Sequence, residues 1–174
     1  PNGSLNPALG LTGIRLCLAE PVMFRTQMRA ILRAAAHGPV RIMWPMITSI
    51  SEVRQCLIHL DTAQRQLTER GETFGPVSIG CMIEIPSAAM TVGSILKLVD
   101  FVSIGTNDLI QYLLSVDRGD DSVSHLYQPG HPAVLKTLQH IIRTANRMEK
   151  GVSICGEMAG DTVFTRLLLG MGLR

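Results

Sequence analysis

The chain has 174 residues, of which 46% are hydrophobic and 17% charged, and its formal net charge is +2. These values predict one globular domain with a sizeable core. The charge is too small to indicate a nucleic-acid partner or an anionic membrane surface, and the apolar runs are far shorter than a membrane span.

Strand and helix patterns alternate along the chain. Strands are predicted at residues 40–44, 77–83, 100–104 and 152–156. Helices are predicted at residues 21–38, 51–71, 86–98, 108–114, 132–149 and 161–169, with Ser51 as the N-cap of the second and Pro132 at the start of the fifth. Strands that are apolar throughout and joined by helices indicate an α/β fold with a parallel sheet covered on both faces.

Polar residues follow three of the predicted strands. Glu84 follows the second strand, Asn107 and Asp108 follow the third, and Cys155 lies at the end of the fourth. Ligands of parallel α/β folds bind beyond the carboxyl ends of the strands, so these side chains are expected to converge. Glu84 and Asp108 suit Mg²⁺, which takes one or two protein carboxylates.

An arginine, Arg118, follows Asp108 by ten residues, and its planar guanidinium suits a phosphate or carboxylate group. Each of these residues also has a structural interpretation. Glu84 could pair with an arginine inside a barrel, and Asn107 or Asp108 could cap a helix. Arg118 could form a surface ion pair with one of three acidic neighbours, Asp117, Asp120 or Asp121.

The four cysteines are widely spaced, which favours neither a disulfide framework nor a zinc site. Cys17, Cys56 and Cys81 lie in apolar contexts typical of core residues. Cys155, at a strand end, could be buried filler or could act as an acid, base or nucleophile. Free thiols make a cytoplasmic protein the default expectation.

The motifs occur together in a combination that is highly specific. They cover residues 6–10, 24–33, 42–47, 82–89, 103–119, 126–129, 131–135 and 155–161. Together they resemble enzyme I of the bacterial sugar phosphotransferase system, the family of phosphoenolpyruvate–protein phosphotransferases, including its multidomain fusion versions.

The resemblance implies a fold and a set of residue roles. The expected fold is part of a (β/α)8 TIM barrel, with the four strands matching the fourth to the seventh. By resemblance Glu84 and Asp108 bind Mg²⁺, while Asn107, Asp108 and Arg118 bind phosphoenolpyruvate. Cys155 would protonate the enolate after the phosphoryl group leaves.

The resemblance also implies what the rest of the protein does. Residues 1–174 would be part of the C-terminal phosphoenolpyruvate-binding barrel, without the N-terminal phosphohistidine domain. The parent enzyme would be a homodimer that passes phosphoryl from its own histidine to the carrier protein HPr. Thr12 departs from the family pattern, since an arginine that binds substrate usually stands there.

Two other interpretations stay open at this point. The parent could be a pyruvate phosphate dikinase or a phosphoenolpyruvate synthase, or the chain could be an inactive fragment that serves only as a dimerisation module. For the chain alone we expect no phosphotransfer, and we expect poor solubility or self-association because half a barrel exposes sheet edges and apolar faces.

Overall fold

The computed structural model of the chain describes residues 6–173. Four strands lie in this range: β1 (Val40–Trp44), β2 (Val77–Ile83), β3 (Phe101–Gly105) and β4 (Gly151–Cys155). The α-helices of the range are α1 (Ile14–Ala19), α2 (Pro21–Ala34), α3 (Ile50–Glu69), α4 (Pro86–Met90), α5 (Val92–Leu96), α6 (Thr106–Leu114), α7 (Pro132–Arg147), α8 (Glu157–Gly160) and α9 (Thr162–Gly170). None of these helices is long and apolar enough to cross a lipid bilayer.

The four strands form one parallel sheet in the order β1-β2-β3-β4. Each strand pairs with the next one along the chain, and helices connect them. Neighbouring parallel strands in chain order, each followed by helical structure, are the arrangement of consecutive units in a (β/α)8 barrel. The expected partial barrel is therefore confirmed, and the carboxyl ends of all four strands lie at one edge.

The two faces of the sheet differ in chemistry. One face presents buried apolar residues that pack into the core with the helices, among them Trp44, Cys81 and Ile104. On the other, which we call the open face, the Arg41 guanidinium stacks on the Phe101 ring with 5.1 Å to the ring centre. The prediction of a sheet covered on both faces is therefore wrong for residues 6–173. The open face corresponds to the inner face of a barrel, which is filled by side chains of the strands and not by helices.

The start of α3 corrects one predicted cap. The N-cap is Ser49 and not Ser51, because Ser49 forms a reciprocal capping box with Glu52. The Ser49 side chain accepts a hydrogen bond from the Glu52 backbone N–H, and the Glu52 carboxylate accepts one from the Ser49 backbone N–H. This pattern was readable in the sequence, since a serine three residues before a glutamate is its signature.

The other predicted elements are confirmed, β1 and β2 with the predicted bounds and the rest with shifted ones. The single helix expected over residues 86–98 is divided at Thr91, whose side chain returns a hydrogen bond to the Ser87 carbonyl oxygen at 2.8 Å. Such back-bonding by a threonine favours a bend. Helix α6 begins at Thr106, two residues earlier than predicted. The short helices α1 and α8 were not predicted, because four to six residues carry too little periodicity.

Candidate functional site

Three neighbouring strand ends bring the predicted polar residues to one edge of the sheet. Glu84 follows β2 directly, Asn107 and Asp108 lie in the first turn of α6 directly after β3, and Cys155 is the last residue of β4. The register aligns these ends, since Ile83 pairs with Ile104 and Gly105 pairs with Cys155. The convergence expected from the parallel topology is therefore present.

Glu84 is a buried carboxylate without an arginine partner among residues 6–173. The residue is only 4% exposed, and its Oε1 accepts a hydrogen bond of 2.7 Å from the Met46 backbone N–H. None of the ion pairs among residues 6–173 involves Glu84, so the barrel-arginine interpretation is not supported. Burial raises the pKa of Glu84, the Met46 hydrogen bond opposes this, and the nearby Asp108 charge adds to it. A divalent cation would relieve both unfavourable effects.

The glycine at position 105 makes room for this carboxylate. A Cβ atom on Gly105 would lie 2.8 Å from Glu84 Oε2 and 3.0 Å from Met82 Sδ. Both distances are shorter than van der Waals contact, so a larger residue would displace the Glu84 side chain. The glycine of the motif is therefore required for space at the site.

Asp108 pairs with Arg118 across the site. The Arg118 Nη2 lies 3.5 Å from Asp108 Oδ1, and both side chains are somewhat more than one-third exposed. The backbone N–H of Arg118 donates to Gln111 Oε1 at 3.2 Å, which ties the following loop to α6. The alternative ion pairs of Arg118 with its acidic sequence neighbours are absent from residues 6–173. Asp120, for example, accepts hydrogen bonds from Ser122 instead.

Asn107 links two of the strand ends. Its Oδ1 accepts a hydrogen bond of 3.0 Å from the Glu157 backbone N–H at the start of α8. Gly156 takes a positive φ of 103°, and a Cβ there would lie 2.8 Å from Asn107 Oδ1. The amide therefore does bind a helix start, as the capping alternative held, and its Nδ2 makes no hydrogen bond within residues 6–173. The oxygen is assigned by this network.

Cys155 differs from the buried Cys56 and Cys81 in its surroundings, while Cys17, in the first helix, is also only partly buried. It is half-buried, its Sγ lies 3.4 Å from the Ile104 carbonyl oxygen, and the Ser103 hydroxyl lies 3.7 Å from the same sulfur. Cys56 and Cys81 are buried, and burial raises the pKa of the Cys81 thiol to about 12. Buried, protonated thiols of this kind are inert, as expected of core residues. Cys155 lies at the end of β4 and is only partly buried.

Two contributors to the site were not predicted as functional residues. The Tyr127 hydroxyl donates to the Asn107 carbonyl oxygen at 3.2 Å, and burial raises the pKa of Tyr127. The Thr106 hydroxyl donates to the Cys155 carbonyl oxygen at 2.8 Å and so fixes the end of β4. Tyr127 lies in one of the quoted motifs, but nothing in its spacing indicates the contact with a residue twenty positions earlier.

The residues near Thr12 are held by backbone contacts. Arg15 donates from Nη1 to the Leu9 carbonyl oxygen at 3.0 Å, and the Tyr112 hydroxyl donates to the Ala8 carbonyl oxygen. Arg15 therefore stabilises the turn in front of α1, and Thr12, which is exposed, adds no positive charge there.

The donors at this edge fit a hard cation better than a soft one. In residues 6–173 no group of three or more His, Cys, Asp or Glu side chains could hold a metal ion. The carboxylates at this edge that could bind a metal ion are Glu84 and Asp108. Mg²⁺ typically uses one or two carboxylates, and water and substrate oxygens complete its octahedral coordination. A structural zinc site would need four protein ligands.

Comparison with protein families gives one match over nearly the whole chain. The family model described as "PEP-utilising enzyme, PEP-binding domain" matches residues 2–174, where PEP denotes phosphoenolpyruvate. A phosphoenolpyruvate-protein phosphotransferase of Cupriavidus necator is 56% identical over 172 residues, 98% of this chain and 29% of the relative. One from Priestia megaterium is 47% identical over 170 residues, 97% of this chain and 30% of the relative. The chain thus spans about 30% of the length of these curated relatives.

Solved structures with lower sequence identity to this chain confirm its architecture. A HpcH/HpaI aldolase/citrate lyase family protein from Burkholderia cenocepacia superposes with a TM-score of 0.59 at 16% identity, covering 88% of this chain and 61% of that one. A citrate lyase from Burkholderia xenovorans superposes with a TM-score of 0.57 at 22% identity, covering 75% of this chain and 40% of that one. At these identities the likeness concerns the fold alone.

Proposed function

Because the chain belongs to the family of PEP-utilising enzymes, as a PEP-binding domain, we propose that it supplies the phosphoenolpyruvate site of a phosphoenolpyruvate–protein phosphotransferase. The observation that carries the proposal is the convergence of Glu84, Asn107, Asp108 and Cys155 on three adjacent strand ends. The relatives quoted above bear the name of this activity. The parent enzyme would move phosphoryl from phosphoenolpyruvate to its own histidine.

Glu84 and Asp108 are the proposed ligands of Mg²⁺. When bound, the ion would neutralise charge on the phosphoryl group and on the enolate that it leaves. Glu84 is positioned for this by burial and by the Met46 N–H, which binds Oε1, while Oε2 lies next to Gly105 at the end of β3. Asp108 is more exposed and is held by Arg118, so its carboxylate can exchange partners when a ligand enters.

Arg118 and Asn107 are the proposed holders of the phosphate. The guanidinium offers parallel N–H donors that match phosphate oxygens, and the free Nδ2 of Asn107 adds a neutral donor. Both residues are oriented by neighbours: Arg118 through the Gln111 contact with its backbone, and Asn107 through Glu157 N–H and the Tyr127 hydroxyl. Preorganised donors of this kind act where charge develops.

Cys155 is the proposed acid that converts the enolate to pyruvate. Its thiol would release a proton to the methylene carbon, the enolate electron pair would form the new C–H bond, and the sulfur would keep the S–H electron pair. A half-buried thiol beside the other strand ends supports this role. Phosphoenolpyruvate and pyruvate are then the substrate and product on this side of the reaction.

The proposal extends to the rest of the protein. Residues 1–174 are taken as part of the C-terminal barrel, and the phosphorylated histidine and the contact with HPr would belong to a separate N-terminal domain. The proposed enzyme is a cytoplasmic homodimer that contributes to sugar uptake. The chain alone would not transfer phosphoryl groups, since none of its five histidines lies in the glycine-rich sequence context of the family's phosphoryl-accepting histidine.

Transfer from labelled phosphoenolpyruvate tests the proposed activity. The full-length protein that carries this chain should acquire acid-labile phosphohistidine label from phosphoenolpyruvate and Mg²⁺ without ATP, and should pass it to HPr. Labelling of the histidine from ATP would instead place the parent with the dikinases or synthases. Absence of label with either set of reactants would refute the phosphotransferase proposal.

A further inference from the structure

We propose that Ser103 is a positioning residue for Cys155, and that its hydroxyl stabilises the thiolate which remains after the thiol has given up its proton. The inference rests on the proposed function, because it assumes that Cys155 is the acid for the enolate. It gives a role to Ser103, which is not among the site residues predicted from the polar strand ends or from the family resemblance.

Ser103 and Cys155 lie on adjacent strands and face the same side of the sheet. Ser103 pairs in register with Ser153, two residues before Cys155, so that all three side chains point to the open face. The Ser103 side chain is only 5% exposed, and its Oγ lies 3.7 Å from Cys155 Sγ. Within residues 6–173 this sulfur is the hydrogen-bond partner of the Ser103 hydroxyl.

The two contacts of the sulfur suit two protonation states. As a thiol, Cys155 can donate its S–H to the Ile104 carbonyl oxygen at 3.4 Å. As a thiolate it has no proton to donate, and the carbonyl contact becomes unfavourable. The Ser103 hydroxyl can then donate to the sulfur, and a hydrogen bond to an ionised partner is stronger than one between neutral groups.

Bonds and electrons balance in the proposed proton transfer from Cys155. The S–H bond breaks, a C–H bond forms on the enolate carbon, and the electron pair of the S–H bond stays on sulfur. Ser103 keeps its own proton and is unchanged, so the step requires no further reactant. After product release the thiolate takes up one proton from the solvent, which restores the thiol and completes the balance.

A purely structural role explains the serine less well. A buried hydroxyl costs free energy unless it is hydrogen-bonded, and an alanine would fill a strand position beside β4 without that cost. A thiol is a weak acceptor, so the neutral Ser103–Cys155 contact offsets little of it. The contact is more favourable once the sulfur carries charge.

The test follows proton transfer alone in the full-length protein. Exchange of the pyruvate methyl hydrogens with deuterium from solvent, measured by NMR with Mg²⁺, reports the reverse of enolate protonation. We expect Ser103→Ala to slow the maximal exchange rate about ten- to a hundredfold, the loss typical of one hydrogen bond to a charged group, with the KM for pyruvate unchanged. Ser153→Ala, which removes an exposed hydroxyl from the same face, should exchange at the wild-type rate.

A third variant separates chemistry from folding. Ser103→Thr keeps the hydroxyl, and it should recover a large part of the exchange that Ser103→Ala loses. Equal rates in Ser103→Ala and Ser153→Ala would overturn the inference, as would a threonine variant no faster than the alanine variant. Cys155→Ala tests the premise separately: if it exchanges at the wild-type rate, the proposed acid is wrong, whatever the serine variants do.

Discussion

The guanidinium of Arg118 lies 3.5 Å from the Asp108 carboxylate, and this pair joins the first turn of α6 to the loop that follows the helix. Each partner has a proposed ligand of its own, a phosphate for Arg118 and Mg²⁺ for Asp108. In the structure each charge compensates the other. We therefore expect the pair to matter more for the proposed binding than for the stability of the fold.

Substitution of Arg118 should separate binding from stability. Exposed ion pairs typically contribute about 0–1 kcal/mol, and both side chains here are more than one-third exposed. Arg118→Ala should therefore change the free energy of unfolding by less than about 1 kcal/mol, while the KM for phosphoenolpyruvate rises at least about tenfold. Arg65→Ala removes a comparable exposed pair with Asp61 on α3 and should leave the KM unchanged. An unchanged KM in Arg118→Ala would remove Arg118 from the site.

Glu84 should make stability depend on pH when metal is chelated. Its pKa is raised above the ordinary 4.5 by burial. The protonated form therefore favours the fold, and this contribution is complete below about pH 4.5 and is lost as the pH rises through the raised pKa. Glu84→Gln, whose amide oxygen can still accept from Met46 N–H, should melt at a higher temperature than wild type at pH 7.5 in EDTA.

The same comparison at pH 4 is the control for this prediction. There the wild-type carboxyl is protonated, so the advantage of Glu84→Gln should shrink. A glutamine variant that melts lower than wild type at pH 7.5 in EDTA would show that the buried carboxylate is not destabilising. The variant should in either case lose Mg²⁺-dependent phosphoenolpyruvate binding.

Restoring an arginine at position 12 should strengthen substrate binding. Thr12 is exposed in front of α1, and by resemblance an arginine that binds substrate stands there. One charged hydrogen bond to a phosphate contributes about 1.5–3 kcal/mol, so Thr12→Arg should lower the KM for phosphoenolpyruvate about tenfold. Thr68→Arg, on the exposed surface of α3, adds the same charge elsewhere. An equal change in both variants would show that Thr12 is remote from the substrate.

Loss of the Tyr127 hydroxyl should disturb Asn107. The phenol donates to the Asn107 carbonyl oxygen at 3.2 Å, and a neutral hydrogen bond contributes about 1 kcal/mol. Tyr127→Phe should therefore raise the KM for phosphoenolpyruvate several-fold and lower stability by about 1 kcal/mol. Tyr112→Phe removes a phenol that binds the Ala8 carbonyl instead and serves as the matched comparison. A Tyr127→Phe enzyme with wild-type KM would contradict the role.

Much of this arrangement is visible in the sequence, for reasons that differ between residues. The apolar strands and the polar residues at their ends place Glu84, Asp108 and Cys155 together, because parallel strands end at one edge. The Ser49 cap was missed although its signature with Glu52 is present. Contacts such as Tyr127 with Asn107, or Ser103 with Cys155, depend on loop paths and strand register, which periodicity does not specify.

The open face shows the same limit. Apolar strands predict burial on both sides, but the sequence pattern alone cannot say whether helices or other strands cover the second face. Met43 is 39% exposed there, and Arg41 stacks on Phe101. The resemblance to a barrel family predicts that the second face of the sheet is the inner face of a barrel. The hydrophobicity of the strands does not predict this.

Direct calorimetric titration of the full-length protein with phosphoenolpyruvate is the most direct test of the site. The account predicts binding by wild type that requires Mg²⁺, the same binding by Asp61→Ala, and affinity reduced at least about tenfold in Asp108→Ala. Asp61 is an exposed aspartate on α3 and controls for the loss of one carboxylate. If Asp108→Ala binds phosphoenolpyruvate with wild-type affinity in Mg²⁺, the strand-end site proposed here is wrong.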